Sequence, residues 1–289
     1  MRDYRREGCT MSDRGRAASS LPTTIDVTVP HEARVYDYWL GGRDNYPADR
    51  ALGDEVAAHV PGIRTMARAN RAFLGRAVRF IVQELGVTQF LDIGTGIPTA
   101  NNTHEVAQDA DPTARVVYVD KDPIVLAHAR ALMGSTPEGR TAFIHADLAD
   151  PDSIIDSPTL ADTLDFDRPI ALMMVSVLMY FRDDEQLHGI VRRLLAAMPS
   201  RSCLAITHPG AEFDPHAISQ VVAAAARANI FFCARDRAGT EKLFAGTTLV
   251  DPGVVPVLSW HPDYGELVIG GGHPDPEAAW YWAGIGRKP

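Results

Sequence analysis

The chain has 289 residues, 46% of them apolar and 22% charged, with Lys+Arg 28 against Asp+Glu 37 for a formal net charge of −9. That composition is globular and long enough to bury a sizeable core, which excludes disordered and fibrous classes for the bulk of the chain. The acidic balance lacks the basic footprint of a nucleic-acid binder, and no apolar run approaches the roughly 18 residues of a membrane span.

Cys9, Cys203 and Cys233 lie far apart with no CxxC spacing, which argues against structural zinc and for a reducing compartment. A cytoplasmic α/β protein is expected. Residues 1–30 are rich in Arg, Ser, Thr and Asp and poor in large apolar residues, so they read as a flexible tail, with Met11 as an alternative start. No apolar stretch follows Arg2, Arg5 and Arg6, which argues against a secretory signal.

From residue 31 to 289 the chain reads as one domain, a helical cap or lid over 31–86 and an α/β core over 87–289. The segment His31 to Tyr46 (HEARVYDYWLGGRDNY) is dense in aromatics and ends in a Gly-Gly turn. Met66, Ala69, Phe73, Ala77, Ile81 and Leu85 recur at helical spacing and predict a helix over 64–85. A regular alternation follows. Strands are predicted at 89–93, 115–119, 141–146, 169–176 and 202–207, and helices at 99–108, from Asp122-Pro123, and at 183–198. Strands alternating with helices build a parallel sheet. After a helix over 214–228 and a short one over 239–244, the segments 248–260 and 279–286 read as strands with no long helix between them, hence antiparallel. The Gly/Pro-rich stretch 270–276 reads as an exposed loop.

The first strand runs into FLDIGTGIPT, where Asp92 precedes Gly94-Thr95-Gly96. Glycines there let the backbone turn sharply and approach a ligand, and the next helix aims its N-terminal amides at it. The second strand ends about 25 residues on in an acid, the pairing that marks a nucleoside site. That acid is Asp120, followed by Lys121, and its carboxylate can accept both hydroxyls of a ribose. A nicotinamide fingerprint has a third glycine, and here that position is Thr99. Asp92 would also set a negative charge near a pyrophosphate, whereas it suits a cationic ligand. Asp-x-Gly-x-Gly resembles the first motif of class I methyltransferases, which bind S-adenosyl-L-methionine. On that reading Asp147 ends the third strand as an acceptor for the adenine amine, and Leu148 offers a backbone amide. Ser176 and Val177, at the end of the fourth strand, line the sulfur and the methyl.

Beyond single motifs, VPHEARVYDYWLGGRDNYPADR, RANRAFLGRAV, QFLDIGTGIPT, VVYVDKDP and LFAGTTLVDPGVVPV are similar to the actinobacterial S-adenosyl methyltransferase family, formerly a domain of unknown function. The resemblance covers nearly all of 30–288. It implies a class I methyltransferase (Rossmann-like) α/β fold, mostly parallel with an antiparallel C-terminal strand pair, helices on both faces and an extra N-terminal helical segment. It also implies bound S-adenosylmethionine, and it implies no substrate. In this fold an early segment folds over the cofactor as a lid. Arg34 or Arg71 could then pair with the methionine carboxylate, with Tyr38 among the aromatics that exclude water. The alternative is a helix that only packs Val35, Tyr38, Trp39 and Leu40 on the core.

The ten histidines form no HExxH motif and no His/Cys cluster, so no metal site is expected. A base at the end of the fourth or fifth strand would face the methyl, which makes Tyr180 and His208 the weak candidates. No Asn/Asp-Pro-Pro-Tyr follows the fourth strand, which argues against the amino-methylating enzymes that carry that motif. The expected function is S-adenosylmethionine-dependent methyl transfer to a small molecule at oxygen, by in-line displacement, with neither nucleic acid nor membrane as partner. The alternatives are a nicotinamide-dependent oxidoreductase and a non-enzymatic cofactor-binding regulator.

Overall fold

A computed structural model describes residues 26–132, 134–265 and 275–289. The predicted tail lies outside these except for 26–30, and so does most of the predicted loop 270–276. Three helices come first: α1 (Glu32–Leu40), α2 (Pro47–His59) and α3 (Ile63–Gln83). His31 caps α1 by accepting the Ala33 amide at 3.3 Å, and the helix ends at Gly41, left-handed at φ 86°. The apolar periodicity does not announce α2. It starts on Pro47, with the Asp49 carboxylate accepting the Tyr46 amide at 2.8 Å. The predicted stripe of α3 is buried from Met66 to Ile81.

The core then alternates: β1 (Gln89–Ile93), α4 (Thr103–Ala110), β2 (Arg115–Asp120), α5 (Pro123–Leu132), β3 (Arg140–His145), the short α6 (Pro151–Ile155) and α7 (Pro158–Thr163), β4 (Ala171–Val175), α8 (Asp184–Ala197), β5 (Cys203–Pro209), α9 (Pro215–Arg227), α10 (Arg237–Lys242), β6 (Thr248–Leu249), β7 (Val255–Pro256) and β8 (Tyr281–Arg287). Two expectations need correction. The helix predicted from residue 99 begins at Thr103, because the Glu105 carboxylate accepts the Asn102 amide at 2.7 Å and fixes the start there. The strand predicted over 248–260 is two short strands, β6 and β7, separated by a turn in which the Gly253 amide reaches Val250 O at 2.8 Å.

The strand order is β3-β2-β1-β4-β5-β8-β6, with β7 also on β8. β1 to β5 run parallel, and β8 lies antiparallel to β5, β6 and β7. Successive strand residues face opposite sides. Phe90, Val116 and Met173 therefore pack with α1–α4 and α9, while Leu91, Val117 and Leu172 pack with α6–α8. Each such fully buried side chain contributes about 1.5–3 kcal/mol. The chain turns back between β1 and β4, and the carboxyl ends of strands open into a crevice at such a reversal.

Candidate functional site

The β1 turn is held by its own backbone. Gly94 and Gly96 sit at φ 72° and 66°, where a side chain costs about 1–2 kcal/mol. The Gly94 amide donates to Val119 O at 2.9 Å, and Thr95 Oγ1 donates to Asp92 O at 3.3 Å. A Cβ on Gly94 would lie 2.4 Å from Val177 Cγ2, so this glycine lets β1 and the end of β4 meet. A Cβ on Gly96 would meet nothing within 4 Å: the space above it is open.

Asp120 ties itself to that turn. Its Oδ2 accepts the Gly96 amide and its Oδ1 the Asp122 amide, each at 2.9 Å. An ionised carboxylate has about four acceptor sites, so each oxygen keeps capacity for a ligand. Burial raises its pKa, against the pull of those two amides. Asp92 is more extreme. It is buried, accepts Thr103 Oγ1 at 2.6 Å, and is pushed up to about 6 by burial, with a smaller contribution from the Asp120 charge. A cation at this point would relieve that cost.

These residues line a cavity of about 380 Å³ together with Asp147, Leu148, Ser176 and Val177. Asp147 is exposed at its rim with Oδ1 on the Ala149 amide at 2.9 Å; Leu148 is buried. Ser176 sits at φ 59°, and its hydroxyl lies 3.2 Å from Tyr281 Oη. Lys121 lines the cavity too, and its Nζ stands 3.1 Å from Glu32 Oε1, clamping the end of β2 to α1. Arg71 donates to Asn102 Oδ1 at 2.9 Å, while its buried Nε has no partner.

The opposite wall is α1. Glu32, Ala33, Tyr36, Asp37 and Leu40 face the cavity, one stripe of a helix. Arg34 and Tyr38 lie off that stripe, and the expectation that they face the cofactor is corrected. Arg34 is buried against Asp49, Nε to Oδ1 3.1 Å, and donates to Val29 O. Tyr38 donates to Asp54 Oδ1 at 2.7 Å on the surface. His208 is likewise outside the cavity lining. Its strand is covered on both sides by β4 and β8, and its Nε2 lies 2.8 Å from Arg235 Nη1. Burial pushes its pKa down to about 4, so the ring is neutral at neutral pH. Tyr180 does line the cavity, but burial holds its phenol well above 10, which makes it a donor and no base at neutral pH.

Sequence reasoning assigned no individual site role to Glu32, Tyr36 and Asn70, although Tyr36 lies among the aromatics of the segment read as a lid. Tyr36 Oη lies 3.0 Å from Ala67 O, a pure acceptor, so the hydroxyl proton goes there. The Asn70 atom 2.9 Å from that oxygen must then be the donating Nδ2. Asn70 Oδ1 is left buried, at the cavity, without a partner. A buried acceptor is costly without a hydrogen bond, and this one borders the cavity. The 3.6-residue period of α1, started from Glu32, is the signal that would have found the first two.

The fold and the crevice define a nucleoside-cofactor enzyme of the Rossmann-like class. Comparison with known proteins makes this specific: the S-adenosyl methyltransferase family profile matches residues 18–289, and the chain belongs to that family. It is similar to a DUF574-family protein from Streptomyces avermitilis, with 45% identity over 91% of this chain and 99% of that one and a TM-score of 0.87. It also resembles a candidate methyltransferase from Thermobifida fusca, with 40% identity over 91% and 96% and a TM-score of 0.81. Among curated proteins, none matches the chain in sequence. The protein is thus an S-adenosylmethionine-dependent methyltransferase, and the oxidoreductase and regulator alternatives fall. The cavity fits that cofactor: the ionisable Asp92 and the orphaned Asn70 Oδ1 suit a cation, Asp120 has spare acceptor sites, and the space above Gly96 is open. No described helix is long and apolar enough to cross a membrane, and no metal-ligand cluster occurs among the described residues.

Proposed function

We propose that this enzyme methylates a small molecule at oxygen by in-line displacement. When bound, S-adenosylmethionine supplies a methyl group on a sulfonium. Asp120 holds the ribose hydroxyls, and Asp147 with the Leu148 amide holds the adenine. Asp92 and Asn70 receive the methionine ammonium, and Arg71 its carboxylate. Ser176 and Val177 flank the sulfur and methyl. Residues 31–86 act as the cap and 87–289 as the core, with the Lys121–Glu32 pair keeping α1 against the β2 end. The cytoplasmic setting stays our reading, supported by the free thiols of Cys203 and Cys233.

The observation that carries the oxygen reading is the polar chemistry of the cavity lining. Among its polar groups are the Ser176 and Tyr180 hydroxyls and the Glu32 carboxylate, which can pair with an acceptor hydroxyl. Neither His208 nor Tyr180 is a base at this point; the proton that the hydroxyl loses as the O–CH3 bond forms and the S–CH3 bond breaks would go to the Glu32 carboxylate, and positioning and exclusion of water carry the rest of the rate. Transfer of a radiolabelled methyl group to a panel of small phenols, alcohols, carboxylates and amines tests this. We expect product with hydroxyl acceptors; transfer to amines alone would overturn it.

A further inference from the structure

A second cavity of about 70 Å³ lies between α1, α2, α3 and α9. Protein interiors are packed with few voids larger than one water, and this one has room for several water-sized spheres. Its walls are apolar: Val35, Trp39, Val56, Met66, Val221 and Phe232 among them. It shares Glu32, Tyr36 and Tyr180 with the cofactor cavity, so those three side chains form a common wall.

The polar atoms around it are mostly spent. Trp39 Nε1 donates to Gly53 O at 3.1 Å. Tyr36 Oη is occupied by Ala67 O and Asn70 Nδ2. Tyr281 Oη lies 3.2 Å from Ser176 Oγ. At the common wall this leaves the Glu32 carboxylate and the Tyr180 hydroxyl. Glu32 already pairs with Lys121, and Tyr180 Oη makes no hydrogen bond to another described residue. One acceptor and one donor beside an apolar void match a single hydroxyl on an apolar body. A carboxylate there would face the Glu32 charge.

We propose that this second cavity is the acceptor subsite, and that it takes the ring or alkyl chain of a neutral hydroxylated small molecule whose oxygen sits between Glu32 and Tyr180. This rests on the oxygen-methylation reading and names its substrate class. The commitment to this occupant comes from contiguity: the second cavity shares Glu32, Tyr36 and Tyr180 with the cofactor cavity, and the rest of its lining is almost wholly apolar.

The test is calorimetry on the full chain saturated with S-adenosylhomocysteine, titrated with 4-alkylphenols from phenol to 4-butylphenol. Affinity should rise about fourfold per methylene until the cavity is full. Val221→Phe, which fills the cavity from α9, should flatten the series and leave S-adenosylhomocysteine affinity within about twofold of the unaltered protein, by the usual independence of separated sites. Ala225→Leu on the same wall repeats the test if Val221→Phe does not fold. At fixed chain length, 4-propylphenol should bind more tightly than 4-propylbenzoate and 4-propylbenzylamine. A flat series in the unaltered protein overturns the subsite, as does a series unchanged in a folded filled variant. Tighter binding of the benzoate or the amine overturns the hydroxylated class. Failure of the oxygen reading shows separately, as turnover of amines alone with the phenol series still rising and still flattened by Val221→Phe, which would support the subsite.

Discussion

The loop after β1 and helix α1 face each other across one cavity, yet they are built on different principles. Gly94 and Gly96 shape their wall with backbone: positive φ, amides on Val119 O and Asp120, and a glycine seated on Val177. Helix α1 shapes its wall with side chains, held from outside by Arg34–Asp49 and from the cavity side by Lys121–Glu32. A backbone wall has no slack, because its positions are set by covalent geometry and packing. A side-chain wall gives by degrees. Substitutions on the first should act all or none, and those on the second should be graded.

The largest effect is expected at Gly94. Gly94→Val puts a branched side chain where a Cβ alone would be 2.4 Å from Val177 Cγ2, and binding of S-adenosylhomocysteine should vanish in calorimetry. Gly96→Val should also abolish binding, but with a smaller loss of thermal stability, since nothing lies within 4 Å of its Cβ. Equal losses of stability would break the distinction between the two glycines.

Next comes Asp120→Ala, which should weaken S-adenosylhomocysteine by about 1.5–3 kcal/mol, the cost of charged hydrogen bonds, or roughly 10- to 150-fold. The fold should survive. An unchanged dissociation constant in the folded variant would show that Asp120 only braces the Gly96 amide.

Asp92 sharpens the comparison through pH. Its folded pKa is raised to about 6 by burial. The sign follows: the stabilisation is complete below the unfolded value near 4 and is lost as pH rises through 6, by up to about 3 kcal/mol. Asp92→Asn should therefore melt higher than the unaltered protein at pH 7.5 and no higher at pH 4.5, without ligand. Cofactor affinity of the unaltered protein should climb to about pH 6 and level off, because a bound cation favours the carboxylate. Melts from pH 4.5 to 8, with and without S-adenosylhomocysteine, check both; parallel curves for the two proteins would refute them.

His208 should matter least for chemistry. His208→Ala leaves the largely buried Arg235 without one partner and should cost about 1–3 kcal/mol of stability. Turnover on an accepted phenol should fall less than the roughly 10²-fold that marks the loss of a general base. A 10³-fold loss at unchanged cofactor affinity would restore it as the base. On the other wall, amide exchange across Glu32–Leu40 should slow when ligand is added if α1 is a lid; identical exchange would make it packing alone.

Legibility in the sequence divides along the same line. β1, β2, the Gly94-Thr95-Gly96 turn and Asp120 were readable because their signals are local: a strand period, glycines at a turn, an acid at a strand end. The parallel alternation then delivers strand ends to one crevice, whichever side chains surround it. On α1, choosing residues by type selected Arg34 and Tyr38, whereas the helix turns about 100° per residue and offers the cavity 32, 33, 36, 37 and 40. His208 ends its strand as expected, but its surroundings come from β8 and from Arg235, 27 residues on. Asn70 became a candidate only when Tyr36 and Ala67 fixed the direction of its amide.

From residue order alone came the sheet and the crevice, since each follows from short-range periodicity and turn chemistry, while the cofactor class came from the resemblance of the Asp92-x-Gly94-x-Gly96 motif and its flanking segments to a known family. Tertiary structure decided which face of α1 meets the cavity, which candidate bases are shut out, and that a second void lies between four helices. Those depend on how elements far apart in the chain pack, and no local pattern encodes that packing.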